Sequence, residues 1–237
     1  MAETWLPFAV RRDGPASKFG YWPILYRGLE LIEGEVKHSA EGPKSAMYGV
    51  LDGPRRASWI LSIYKAGPPE QHFPLEAVGW TNGSIDANMK FVGMEHEGKA
   101  GEPLNDNQVY WTTRISLALR VLCPKIASNP PARRVNLWEH NEMTLFGADW
   151  TACPSNRIPW AQVLAGLQTK EEDMPRLVRK AGTSHVYVVT GAHLESVVSA
   201  ERATALGYDL SKVEELPANH PIWKARVVYD GGVPTDA

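Results

Sequence analysis

The chain has 237 residues, with 25 Lys+Arg against 27 Asp+Glu for a formal charge of −2. At 43% apolar, 22% charged and 9% aromatic it has the composition of a globular protein with a full core, not of a disordered one. The near-balanced charge argues against a nucleic-acid protein held by a basic surface, and no apolar run approaches the ~20 residues that a membrane span needs.

The first residues do not read as a secretory signal, because the basic pair Arg11-Arg12 follows a short apolar stretch containing Pro7. The expectation is a protein made in the cytosol. Two thiols, Cys123 and Cys153, then read as a buried residue, a ligand or a nucleophile before a disulfide. Residues 1–30 lack a steady period and read as an extended arm with turns at Asp13-Gly14-Pro15 and Arg27-Gly28. A strand is expected to end at Val36-Lys37-His38, followed by a turn over 39–44 and a short helix over 46–51. Ala57–Tyr64 is rich in β-branched and aromatic residues and reads as a buried strand, with a second strand over His72–Ala77. Phe91–Glu97 reads as another strand. Alternation puts Phe91, Gly93, Glu95 and Glu97 on one face and Val92, Met94 and His96 on the other.

Asn105 and Asp106 are N-cap candidates for the longest helix, about 107–123, with Val109, Thr112, Ile115, Leu119 and Leu122 as its buried stripe. Pro124 helps to end it. A strand over Arg134–Glu139 delivers His140, and a helix over Trp160–Leu167 closes the first domain. Gln168–Asp173 reads as a charged linker. Beyond it, strands are expected at Leu177–Lys180, His185–Thr190 and Leu194–Val198, with a helix capped by Ser199 and ending at Gly207. The expected domains are an arm (1–30), a main domain (31–167) and a small C-terminal module (174–237).

Among the metal-competent residues the most suggestive pair is His140 and Cys153, joined by a loop containing Gly147. With a distant third ligand they would leave a tetrahedral zinc one open position, as hydrolysis requires. The spacing alone fits a satisfied histidine and a buried cysteine as well. His72, His96, His185, His193 and His220 lack partners at informative spacing, and Cys123 reads as a core thiol. Arg133 and Arg134 read as a solvated pair.

Several segments in order resemble the N-acetylmuramoyl-L-alanine amidase superfamily, which includes the peptidoglycan recognition proteins and amidase-type phage lysins. His38-Ser-Ala-Glu-Gly42 resembles its first-ligand segment and Ala57-Ser-Trp-Ile-Leu61 its second core strand. Trp80-Thr-Asn-Gly83 resembles its Trp-His-Ala-Gly turn, and Val92-Gly-Met-Glu-His-Glu-Gly98 its Ile-Gly-Ile-Glu-Leu-Glu-Gly strand. His140-Asn-Glu142 and Thr151-Ala-Cys-Pro154 resemble the His-Arg-Asp and Thr-x-Cys-Pro pair. The resemblance covers about residues 30–167, and the opening Pro7–Pro15 and the Glu41-Gly42 variant look most like phage lysins.

The resemblance implies an α/β fold, a mixed central sheet flanked by helices, with a small C-terminal α+β module. It implies Zn²⁺ held by His38, His140 and Cys153, with Glu95 moving protons and Thr151 donating to the oxyanion. Trp80, Asn82 and Asn88 are the implied substrate contacts, Trp80 and Asn82 being divided between packing and glycan contact. The implied activity is cleavage of the amide between N-acetylmuramic acid and L-alanine in bacterial peptidoglycan. As a lysin the protein would wait in the host cytoplasm and then act on the wall, with neither nucleic acid nor membrane insertion involved. The alternative is a non-catalytic peptidoglycan-binding protein of the same fold. Two positions depart from the pattern. Ala57 stands where many members carry a Tyr, and Thr81 where they carry a His, so Glu95 or another group such as Tyr48 must take more of the proton transfer. The C-terminal module is expected to be either a wall-targeting element or a structural appendage.

Overall fold

The computed structural model describes residues 3–168, 176–182, 186–190, 193–197, 214–218 and 227–228. The chain divides into two units, Met1–Gln168 and Thr169–Ala237. In the first unit a six-stranded sheet contains β1 (Val10–Arg11), β2 (Gly34–Ser39), β3 (Leu61–Ile63), β4 (Glu70–Gln71), β5 (Phe91–His96) and β6 (Leu137–Glu139). Their order is β1-β4-β3-β5-β2-β6, and all neighbours are parallel except the β3–β4 pair. Five helices join them: α1 (Lys44–Asp52), α2 (Ile85–Lys90), α3 (Asp106–Leu122), α4 (Pro124–Ala127) and α5 (Trp160–Leu167). This is the expected α/β architecture.

Every residue of β2 is buried, as befits a strand with parallel neighbours on both sides and cover on both faces. Val92 and Met94 of β5 join Leu61, Ile63, Ile115 and Leu119 in one core. On the opposite face Val36 and Phe91 meet Ala87, Trp138, Met143 and Ala148 in a second core. The alternation read for β5 therefore holds, and His96 leaves the Glu95 face to bond Thr112 of α3 at 2.9 Å.

Asn105 caps α3 through a reciprocal capping box with Gln108, which satisfies backbone donors at the helix start. The buried face of α3 is more polar than its expected stripe. Gln108, Thr112 and Ser116 are buried at i, i+4 spacing, whereas Val109 and Leu122 are only half-buried. The reason is a polar seam under the helix, where Lys37 of β2 pairs with Glu35 at 2.8 Å and bonds Ser116 at 3.3 Å.

Three strand expectations need correction, the first being Arg134–Glu139, which is a strand only over Leu137–Glu139. The Ala57–Tyr64 strand is reduced to β3, and no ladder forms over His72–Ala77, where the strand is instead β4, Glu70–Gln71. Phe73, Leu75 and Ala77 are buried by packing of the irregular chain, so hydrophobicity there does not signal pairing. The arm is part of the first unit. Leu6 sits in the core, Phe8 stacks on Trp111 at 5.7 Å, and buried Gln71 accepts from the Leu6 backbone N–H at 2.7 Å.

The second unit holds a five-stranded sheet of β7 (Arg176–Lys180), β8 (Val186–Thr190), β9 (His193–Val197), β10 (Glu214–Leu216) and β11 (Val227–Val228), in the order β10-β7-β8-β9-β11. β7, β8 and β9 form an antiparallel meander with parallel edge strands. The helix expected over 199–207 and the linker 169–173 lie outside the described residues. Among the described residues, no helix is long and apolar enough to cross a membrane.

Candidate metal centre

β2 and β6 are adjacent parallel strands, so their C-terminal ends open on the same edge of the sheet. His38 stands at that end of β2, and His140 follows directly after β6 at the start of a 3₁₀ segment, His140–Phe146. The Asn141 N–H donates to the Cys153 carbonyl at 2.8 Å, closing the intervening loop and returning the cysteine beside the histidines. The two imidazole centroids are 4.4 Å apart, and Cys153 Sγ lies 4.0 Å from His38 Nδ1. One donor atom from each of the three side chains falls within 4.8 Å of the others.

Glycine makes this approach possible at two points. Gly83 has φ +80°, and a Cβ there would lie 2.7 Å from Ala148 Cβ and 3.3 Å from His140 Nε2. Gly93 on β5 lets the 80–82 turn lie on the sheet, since a Cβ would meet Thr81 Cγ2 at 1.9 Å.

Burial pushes the charged forms of all three groups out of the neutral pH range. His38 is held well below the usual imidazole value by burial and by His140, and His140 is lowered to about 4 by burial. The Cys153 thiol is pushed up to about 12 by burial and by the Glu95 carboxylate. Two neutral imidazoles thus offer lone pairs beside a thiol whose proton a divalent cation would displace. Sγ already accepts the Ser39 backbone N–H at 3.1 Å, a donor suited to a thiolate. The donor set fits zinc with an open fourth position.

Glu95 faces this cluster from β5, with Oε1 4.0 Å from His38 Nδ1 and Oε2 buried without a hydrogen-bond partner. Burial raises its pKa to about 8, against the downward pull of Arg157. Thr151 Oγ1 accepts the Cys153 N–H at 3.2 Å, which leaves the hydroxyl proton free to donate elsewhere. Trp80 is half-buried. Its indole N–H donates to the Gly20 carbonyl at 2.8 Å, and Arg56 stacks over its ring at 4.8 Å. Asn82 and Asn88, expected to contact substrate, are both buried. Asn82 is 1% exposed and bonds His38 Nε2 at 3.0 Å, while Asn88 is 3% exposed and bonds the Asn82 N–H and the Tyr21 hydroxyl.

Solved structures with this architecture include a selenomethionine derivative of AmpD, at 20% identity and TM-score 0.54, covering 71% of this chain and 99% of that one. PlyL matches at 12% identity and TM-score 0.50, with 68% and 97% covered. An endolysin N-acetylmuramoyl-L-alanine amidase, LysCS from Clostridium intestinale URNW, matches at 18% identity and TM-score 0.46, with 70% and 99% covered. The chain shares its fold with AmpD and PlyL. No family model matches the chain, and neither does any curated protein sequence.

Tyr48, considered as a substitute proton carrier, is engaged away from the cluster. Its hydroxyl donates to Glu70 at 2.7 Å, on a strand separated from β5 by β3, and Lys44 and Tyr64 converge on the same carboxylate. Arg134 is exposed, as expected of a solvated residue, and Arg133 is half-buried; both also bond Glu142 Oε1 at 2.7 Å, beside the segment that begins at His140. Sequence reasoning missed Arg157. Its buried guanidinium donates to Ser39 Oγ at 2.9 Å and to the carbonyls of His96, Glu97 and Glu102 at 3.1, 2.7 and 2.6 Å. A lone arginine in a loop carries no local signal of such a role.

Proposed function

We propose that the protein is a zinc-dependent peptidoglycan hydrolase of the endolysin type, cleaving the amide between N-acetylmuramic acid and the L-alanine of the stem peptide. The observation that carries this reading is the convergence of His38, His140 and Cys153 at the strand edge, with ligand atoms within 4.8 Å although His38 and Cys153 are 115 positions apart. Zinc bound there supplies Lewis acidity at the scissile carbonyl and acidifies a water molecule.

The protein's own groups supply the remainder. Glu95, with a pKa near 8 before metal binds, is suited to take a proton from the attacking water and pass it to the leaving nitrogen. The free Thr151 hydroxyl proton can donate to the developing oxyanion. The exposed part of Trp80 offers an apolar face to a sugar ring. Arg157 and the Ser39 N–H hold the thiolate side of the centre in place.

Turbidity of purified cell walls tests the proposal. Clearing that stops on chelation, returns with zinc and releases new N-terminal alanine is expected. Clearing that ignores the chelator, or that yields new reducing sugar ends, would contradict it. Wall binding without clearing would favour a non-catalytic binder.

A further inference from the structure

We infer that Asn82 is a positioning residue that locks His38 in the Nε2–H tautomer and so commits Nδ1 as its metal-binding atom. This rests on the zinc reading of the site only for what Nδ1 binds. The tautomer itself follows from hydrogen bonds. The Asn82 amide nitrogen has two carbonyl partners, Ala87 O at 3.3 Å and Phe91 O at 3.2 Å. A carbonyl only accepts, so this end of the amide must be the NH₂ and Oδ1 must face His38 Nε2 at 3.0 Å. Oδ1 is an acceptor, so Nε2 carries the proton. The lone pair is then on Nδ1, the nitrogen 4.0 Å from Cys153 Sγ and 4.0 Å from Glu95 Oε1.

The asparagine is itself braced. Asn88 Oδ1 accepts the Asn82 N–H at 2.8 Å, and Asn88 Nδ2 donates to the Tyr21 hydroxyl at 2.7 Å. Buried Arg27 adds a second donor to Phe91 O at 3.1 Å, so that carbonyl is fixed from two sides. The chain Tyr21–Asn88–Asn82–His38 thus links the N-terminal arm to the imidazole. Asn82 is 1% exposed, so this polar apparatus is not a solvated surface turn. Buried amide groups of this kind are costly unless fully bonded, and here each is aimed toward one ring nitrogen.

The test uses the full-length protein at pH 8 and two readouts. Long-range ¹⁵N–¹H correlation of the metal-free protein, with His38 assigned by the loss of its signals in His38→Asn, should show a protonated Nε2 and an unprotonated Nδ1. Competition with a chromophoric chelator should show zinc binding weakened about 10–100-fold in Asn82→Ala, as for other residues that orient a metal-binding histidine. A protonated Nδ1 in the wild-type protein would overturn the inference, as would unchanged zinc affinity in a folded Asn82→Ala. The wild-type tautomer is read without any variant, so it decides the matter even if Asn82→Ala does not fold. Failure of the wild-type protein to bind zinc would defeat the zinc reading alone, and the tautomer would still decide the role of Asn82.

Discussion

Gly93→Ala isolates the steric contact that seats the 80–82 turn. Gly93 lies inside β5 in a backbone conformation open to any residue, so alanine brings no dihedral strain. What it brings is a methyl group 1.9 Å from Thr81 Cγ2, with Asn82 Oδ1 at 3.2 Å. Such overlap in a packed interior costs about 1–3 kcal/mol. At about 2–4 °C per kcal/mol for a unit of this size, a cost near ~2 kcal/mol lowers the melting temperature by about 4–8 °C. Relief should be specific. Thr81→Ser deletes Cγ2, and in that background Gly93→Ala should cost less than about 1 kcal/mol, a coupling of about 1–2 kcal/mol in a double-mutant cycle. Urea unfolding of the four proteins measures it. Equal costs of Gly93→Ala in both backgrounds would show that the turn does not rest on the strand as described.

Three further outcomes are expected. Glu95→Gln should reduce wall clearing by about 10²–10⁴-fold while zinc content stays at the wild-type level, and near-normal clearing would remove Glu95 from proton transfer. Arg157→Met should destabilise by about 3 kcal/mol or more, because three carbonyls and the Ser39 hydroxyl lose their donor, and a cost under about 1 kcal/mol would contradict that. The third concerns pH. His72 is buried, with Nε2 2.7 Å from Ser62 Oγ and Nδ1 3.1 Å from Arg12 O, and Glu70, Arg12 and Asp52 are its charged neighbours. Burial lowers its pKa to about 4 from 6.5, so the unfolded chain takes up this proton first as pH falls. Its contribution is therefore full above about pH 6.5 and is lost progressively toward pH 4. By pH 5 the loss is about 2 kcal/mol. In urea titrations at pH 7 and 5, His72→Gln should lack that part of the decline, and identical declines would refute it.

What was legible in the sequence follows the range of the forces involved. α5 and the capped start of α3 depend on neighbours within a few positions, and both were readable, as was the face of β5 that carries Glu95. The run after His72 misled because burial of Phe73, Leu75 and Ala77 comes from packing without a strand ladder. His140 and Cys153 stand out as a pair, but only the ordered resemblance along the chain joins His38 to them, since the spacing alone fits a satisfied histidine and a buried cysteine as well. Asn82, Asn88 and Arg157 act through partners many positions away, such as His38, Tyr21 and Ser39, so nothing local distinguishes them from surface polar residues.

X-ray absorption at the zinc edge of the purified protein tests the central claim most directly. The account predicts one zinc per chain, with one sulfur at about 2.3 Å, two imidazole nitrogens at about 2.0–2.1 Å and one further light atom. The sulfur shell should vanish in Cys153→Ser. A protein that binds no zinc, or whose zinc has no sulfur neighbour in the wild-type chain, would contradict it.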